Sequence, residues 1–377
     1  MVAKITFFPV ANGDTSQIVL GNGRWLMFDF HHQKKCEEEG STDFNLRKHL
    51  KDQLTGAKRD YYDVLALTHG DDDHIRNSTE FFELRHAAKY QGGDRTKVSE
   101  LWVPAAMILE EGTNDQQSNE VIIWRQEARH RLKEGKGIRV FSRPDKLKAW
   151  LEENGLTLDQ RRHLITDAGE LVPGFTLAND EVEFFCHSPF IKHTDEGDVL
   201  RNEASLIFQV RFETGGTRFN YWAVGDSTHE VLADIVRISK YHGNHDRLDW
   251  DLYNIPHHCS YLALGPEKGA ERTVSTDAVA ELLRHGQRGA YIVSSSNPIG
   301  NDLAAYEQQQ PPHVQAKNTY RDYLNEVGGR RFLVTMEEPN AVRPQPIVFE
   351  ISSIGGKLVL ARTGSAAIVS SPAPRAG

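Results

Sequence analysis

The chain has 377 residues, 44 of them Lys or Arg and 53 Asp or Glu, for a formal net charge of −9, and 39% of it is apolar. Such a length buries a substantial core without staples, and the composition excludes a disordered or membrane chain, since no run approaches the roughly 18 apolar residues that span a bilayer. The acidic balance also excludes a generally basic, nucleic-acid-coating protein. Cys36, Cys186 and Cys259 are odd in number and lack a C-x-x-C, which argues against a disulfide framework and a thiolate zinc site. The opening Met1-Val-Ala-Lys-Ile-Thr-Phe-Phe reads as a strand rather than a signal peptide, so a cytoplasmic protein is expected.

Strands are predicted over 4–10, 17–20 and 24–30, separated by the turns Ala11-Asn-Gly-Asp14 and Gly21-Asn-Gly23. Leu46, Leu50 and Leu54 recur at i, i+4, i+8 and predict a helix over 44–55. Asp63-Val-Leu-Ala-Leu-Thr68 is a short buried strand from which a polar loop, 69–74, opens directly. Further strands are expected at 101–103, 182–186, 205–212, 219–224, 251–255 and 290–294, and helices at 115–134, 228–240, 275–286 and 314–327. The mixture implies a layered α/β domain spanning 1–362, with 75–180 as a largely helical insertion and 363–377 as a Pro- and small-residue tail.

The loop His69-Gly-Asp-Asp-Asp-His74 carries the chemistry. Three consecutive aspartates repel one another unless they face water or hold a cation, and the two bracketing histidines favour the cation. Asp72 is the member expected to point away. Val224-Gly-Asp226 places a carboxylate directly after a strand, where it could bridge two cations. Ile255-Pro-His257-His258 places a histidine pair after another strand, and Arg201-Asn202 opens the strand between them. Ligand groups gather at strand ends in α/β proteins. His187 is read as a strand-end histidine, and His242 and His245 as surface-loop residues.

The order of these motifs resembles the metallo-β-lactamase superfamily, specifically its ComEC-type branch, without transmembrane segments. Phe8-Pro-Val-Ala-Asn-Gly-Asp14 is similar to that branch's F-x-D-V-G-Q-G-D turn, and Leu26-Met-Phe-Asp29 to its L-I-D-x-G strand. Thr68-His-Gly-Asp-Asp-Asp-His74 resembles its S-H-x-D-x-D-H, Gly225-Asp226 its G-D, and Pro256-His-His-Cys-Ser260 its P-H-H-G-S. Phe185-Cys-His-Ser-Pro189 with Asn202-Glu-Ala-Ser205 resembles its L-H-P…N-x-x-S-L, and Pro312-His313 its late G-H-P. Pro9, His31 and Cys259 depart from the pattern at positions that shape turns.

The resemblance implies an αββα four-layer sandwich with two divalent ions, Zn²⁺ or Mn²⁺, at one edge. His69, Asp71 and Asp226 would hold the first ion; Asp73, His74, His258 and the bridging Asp226 would hold the second. Asn202 falls where relatives have a third histidine. The implied chemistry is two-metal hydrolysis, with Asp73 or Asp226 orienting the attacking water and His257 or His313 giving the leaving group a proton.

Residues 121–148 hold nine cations against three acids. Arg125 and Arg129 share a helix face, and such a segment is either a solvated helix or an electropositive wall for phosphates. The leading expectation is a phosphodiesterase or nuclease acting on nucleic acid. A hydrolase of a small ester, lactone or phosphorylcholine-type substrate is the second reading. The third is a metal-stabilised binding subunit docking a protein partner through 75–180. No membrane association is expected.

Overall fold

The computed structural model describes residues 2–110, 118–191 and 204–359. Alternation of apolar side chains decides its layers, because successive strand residues point to opposite faces. In β3 (Trp25–Phe28), Leu26 and Phe28 point into a core shared by two sheets, while Met27 faces a helical layer outside. In β10 (Thr217–Val224), Tyr221 and Ala223 enter the same shared core, and Trp222 and Val224 face a second helical layer. Each sheet is therefore buried on both faces over this region, and the four layers run helix, sheet, sheet, helix. This is the αββα sandwich that the resemblance implied.

The first sheet has nine strands in the order β15-β14-β1-β2-β3-β4-β5-β6-β7. They are β1 (Ala3–Phe7), β2 (Ser16–Val19), β3, β4 (Tyr61–Ala66), β5 (Lys97–Pro104), β6 (Ile138–Phe141), β7 (Ile165–Thr166), β14 (Ile347–Ser352) and β15 (Gly355–Val359). From β3 to β7 the strands run parallel, and the rest pair antiparallel. The second sheet has the order β13-β12-β11-β10-β9-β8. It is built from β8 (Val182–Ser188), β9 (Ile207–Thr214), β10, β11 (Trp250–Asn254), β12 (Gly286–Ser294) and β13 (Arg331–Val334), with β10 to β13 parallel.

The first sheet is covered by α1 (Leu46–Gly56), α2 (Asp72–Ile75), α3 (Ser78–Phe81), α4 (Ala105–Leu109), α5 (Asn119–Glu134) and α6 (Asp145–Glu153). Helix α1 starts where the Asn45 side chain accepts the Lys48 N–H, and it buries Leu46, Leu50 and Leu54. Full burial of such side chains stabilises by about 1.5–3 kcal/mol each. The second sheet is covered by α7 (His229–Tyr241), α8 (Asp277–Arg284) and α9 (Val314–Glu326).

Most predicted elements lie within a few residues of the observed ones. Segment 75–180, expected to be largely helical, holds α3 to α6 and also β5 to β7, which continue the first sheet. Strands β13 to β15 had no counterpart among the predicted elements. The 363–377 tail lies outside the described residues. Among the described residues no helix is long and apolar enough to cross a membrane.

Candidate metal centre

The parallel strands β3, β4, β10, β11 and β12 all end at one edge of the sandwich, and the loops leaving them converge there. After β3, Asp29 adopts a left-handed φ of 55°, uncommon for a residue with a side chain. Its carboxylate accepts the Thr68 N–H at 2.7 Å, the Thr68 hydroxyl at 2.6 Å and His74 Nδ1–H at 2.7 Å. Asp29 thus stitches the end of β3 to the loop after β4 and fixes the His74 tautomer, leaving Nε2 facing the centre.

The turn before β2 reaches the same place. Asp14 N–H donates to the Asp73 carbonyl at 3.1 Å, and a Cβ on Gly13 would stand 2.5 Å from the His31 ring and 2.9 Å from that carbonyl. Only glycine allows this approach. From the other sheet, Gly225 passes so close to Thr68 and Ser205 that a Cβ would collide with both, and Asp226 follows it into the cleft. After β11, His257, His258 and Cys259 take φ values of 51°, 50° and 67° in succession. A run of three left-handed residues with side chains is strained, and such strain concentrates at functional sites.

The side chains brought together are Asp14, His74, Asp226 and His258, all buried, and beside them His69, Asp73 and His74; within each group one ligand atom per residue lies within 4.8 Å of the others. His74 Nε2 is 3.3 Å from Asp226 Oδ1 and 3.8 Å from Asp14 Oδ2. His258 Nε2 is 3.0 Å from Asp73 Oδ2 and 3.9 Å from Asp226 Oδ2, and its Nδ1 lies 2.8 Å from the Ser295 carbonyl. His69 Nε2 is 3.6 Å from Asp71 Oδ2. Asp72 turns outward and pairs with Arg76.

Burial works against charge on His258, yet Asp226, Asp73 and Asp14 outweigh it and raise the imidazole to about 9. His74 is raised too: burial again opposes charge, and Asp29 and Asp226 prevail. Asp14 is pushed up by burial, which its histidine neighbours only partly offset. The cluster therefore concentrates negative potential in a dry place. The Nε2 atoms of His69 and His74 are buried there without a hydrogen bond. Imidazole nitrogens and carboxylates converging in this way fit divalent cations, and these residues could hold them.

The other predicted residues sit as follows. His257 stands at the rim, its Nε2 3.7 Å from Asp226 Oδ2 and its N–H donating to Asp226 Oδ1 at 3.0 Å. His313 is buried and not in the cluster. Its Nδ1 accepts the Tyr261 N–H at 3.4 Å, and its Nε2 is 3.1 Å from the Gln309 carbonyl. Both of its ring nitrogens are thus engaged, and burial lowers its basicity. Asn202 lies outside the described residues. Arg125 is buried, 2.7 Å from Glu110 Oε2. Arg129 Nε donates to the Ile108 carbonyl at 2.8 Å, with its guanidinium 5.8 Å from the Trp150 ring. Arg125 is thus buried in an ion pair, and the half-buried Arg129 is held by a carbonyl and a ring. His187 is buried on β8, and His242 and His245 are exposed beyond α7.

Asp14 and Asp29 were not among the expected site residues. The signal for Asp14 was present in the Asn-Gly-Asp turn directly after a buried strand. The signal for Asp29 was an acid ending an otherwise apolar one.

No known family's profile matches the chain, and no curated protein does. Solved structures to which it is similar include CmlA, a diiron β-hydroxylase from Streptomyces venezuelae, at 9% identity and a TM-score of 0.37. That match covers 88% of this chain and 52% of CmlA, so the chain spans about half of that protein's length. Yeast PDE1 is similar at 10% identity and a TM-score of 0.43, covering 88% of this chain and 97% of that one. The metallo-β-lactamase GOB-18 from Elizabethkingia meningoseptica is similar at 12% identity and a TM-score of 0.31, covering 85% and 88%. At such identities the chemistry has to be read from this chain's own side chains.

Proposed function

We propose that the chain is a metal-dependent phosphodiesterase of the ComEC-type metallo-β-lactamase branch, acting on nucleic acid. The observation that carries the reading is the buried convergence of Asp14, His74, Asp226 and His258 beside His69 and Asp73, with imidazole nitrogens left without hydrogen bonds. His69, Asp71 and Asp226 would hold one ion. Asp73, His74, His258 and Asp226 would hold a second, with Asp14 as an added carboxylate. Zinc or manganese bound there supplies Lewis acidity and a hydroxide-like nucleophile at neutral pH.

The protein's own contribution is orientation. Asp29 holds His74 and the Ser295 carbonyl holds His258, each through Nδ1, so that both Nε2 lone pairs face the cluster. Asp73 is half-exposed, which places its carboxylate where an entering water can be oriented. His257, at the rim and backed by Asp226, is the side chain positioned to deliver a proton to a leaving oxygen.

The test is elemental analysis of the purified protein, followed by incubation with single- and double-stranded DNA and with RNA in Mn²⁺ or Zn²⁺. An Asp73→Ala/His74→Ala variant runs beside it. Bound divalent metal and cleavage that the variant loses are expected. Absence of metal after reconstitution, or equal cleavage by both proteins, overturns the reading.

A further inference from the structure

A second charged feature lies away from the metal centre, in a cleft of about 350 Å³ between α9 and the edge strand β13. Lys317 and Arg321 come from the helix, Arg331 and Phe332 from the strand and Arg330 from the residue before it; Glu337 is the acid in the lining. Its carboxylate accepts the Ile299 N–H at 2.8 Å and is thereby tied to backbone. Lys317 and Arg321 stand at i, i+4, where like charges destabilise a helix. The acids of α9 lie elsewhere and are matched: Asp322 with Arg272 at 2.5 Å and Glu326 with Arg284 at 2.8 Å.

Arg321 is exposed and has no hydrogen-bond or ion-pair partner among the described residues. Arg330 is also exposed, its guanidinium 3.4 Å from the Tyr291 hydroxyl and 6.0 Å from the centroid of that ring. Arg331 pairs with Glu338 at 2.5 Å, and Lys317 donates to the Ile299 carbonyl at 2.8 Å. The half-buried Phe332 also lines the cleft, its side chain packed against the core beneath α9.

The cleft is joined to the centre by one short segment. Ser295 holds His258, and four residues later Ile299 touches both Lys317 and Glu337. At roughly 3.5 Å per extended residue, that step is at most about 14 Å.

We infer that this cleft is the site that grips the sugar-phosphate backbone of a single-stranded nucleic acid whose scissile phosphate lies at the metal centre. Cations tracking a backbone beside an aromatic face are the chemistry that binds single strands. A concave lining with a ring at its wall favours a strand over a flat anionic membrane. The inference rests on the phosphodiesterase reading for its direction, and its test separates the two.

A fluorescein-labelled phosphorothioate oligothymidylate is titrated by anisotropy into the purified full chain and into Arg321→Glu/Arg330→Glu, across a salt series. Hydrolysis of a small chromogenic phosphodiester is followed in parallel. The variant should bind the oligonucleotide at least about tenfold more weakly, with a log–log salt slope shallower by about 1.4 for two lost contacts. Its hydrolysis of the small diester should be unchanged. If the wild type binds the oligonucleotide and the variant matches it in affinity and slope, the cleft is not the site. Wild type that hydrolyses the small diester but binds no oligonucleotide, or binds only anionic phosphatidylserine vesicles, also overturns it. Cleft-dependent oligonucleotide binding without hydrolysis of any diester upholds the cleft and overturns the phosphodiesterase reading. Where the charge reversal does not fold, Arg321→Gln/Arg330→Gln is measured in its place, with the same outcomes read.

Discussion

Two buried polar clusters in this protein have opposite characters. One is the strand-edge group of Asp14, His74, Asp226 and His258. The other lies under α5, where Glu127 is fully buried and accepts from Arg131 Nε at 2.6 Å, from the His86 N–H at 2.9 Å and from the His86 ring at 2.9 Å. Arg131 donates further to the Val98 and Gly137 carbonyls at 3.2 and 2.9 Å. Burial works to raise Glu127, but the Arg131 charge and the surrounding donors outweigh it and hold the carboxyl below its ordinary range. At Asp14 burial wins and the carboxyl is raised. Acids and bases buried to a similar degree thus form a closed network in one place and an open one in the other. Closed networks hold a fold together, whereas buried donors and acceptors without partners call for a ligand.

The largest effect that can break this comparison is in the closed cluster. Glu127→Ala strands Arg131 in the core, and loss of one partner of a buried pair costs about 3–5 kcal/mol. Urea unfolding should show that loss while metal content per folded molecule stays the same. A cost below about 1 kcal/mol would mean the network is not closed. In the open cluster Asp14→Asn should act the other way round. Metal affinity falls about 10–100-fold, as for loss of a group that orients or supplements ligands. The metal-free protein should unfold at an unchanged or higher urea concentration. Lower metal-free stability with unchanged metal affinity would place Asp14 among the structural acids.

The difference between the clusters also marks what the sequence could reveal. The edge position of His69, Asp73, His74, Asp226 and His258 was legible because each follows an apolar run that ends abruptly, and strand ends gather ligands. Helix α1 was legible from three leucines at one spacing. Asp14 and Asp29 were harder, since a turn aspartate and a strand-end aspartate are common, and only the Gly13 and Thr68 contacts give them their place. Within residues 121–148 composition counts charges without placing them: Glu110 and Glu127 pair with Arg125 and Arg131 inside the fold, whereas Lys133, Lys136, Arg143, Lys146 and Lys148 are exposed. Strand β14 shows burial alternating residue by residue, yet its pairing with β1 spans the whole chain and no local signal announces it.

A smaller effect comes from a third kind of buried polar group, one satisfied without any charge. His187 is buried with Nε2 3.0 Å from the Arg247 carbonyl, and burial, only partly offset by that hydrogen bond, holds it down to about 3. The unfolded chain takes up a proton below about pH 6.5 and the folded chain does not, so stability falls as pH drops through 6.5. The slope for one such group is about 1.4 kcal/mol per pH unit. His187→Gln should lessen the acid loss by that slope in urea titrations between pH 6.5 and 5. Parallel curves for both proteins would show that the imidazole is reached by solvent.

The smallest expected effect is the most discriminating between the two cationic regions. Arg129 is held by the Ile108 carbonyl and lies against Trp150, so Arg129→Ala removes a hydrogen bond worth about 0.5–1.5 kcal/mol of stability and no phosphate contact. Oligonucleotide affinity should stay within about twofold of wild type, with an unchanged salt slope. The equivalent loss at Arg321 should flatten the slope by about 0.7. If Arg129→Ala flattens the slope and Arg321→Ala does not, substrate runs over α5. The arginines of that helix then serve the centre despite their internal partners, because a neutralised charge pair can still open toward a polyanion.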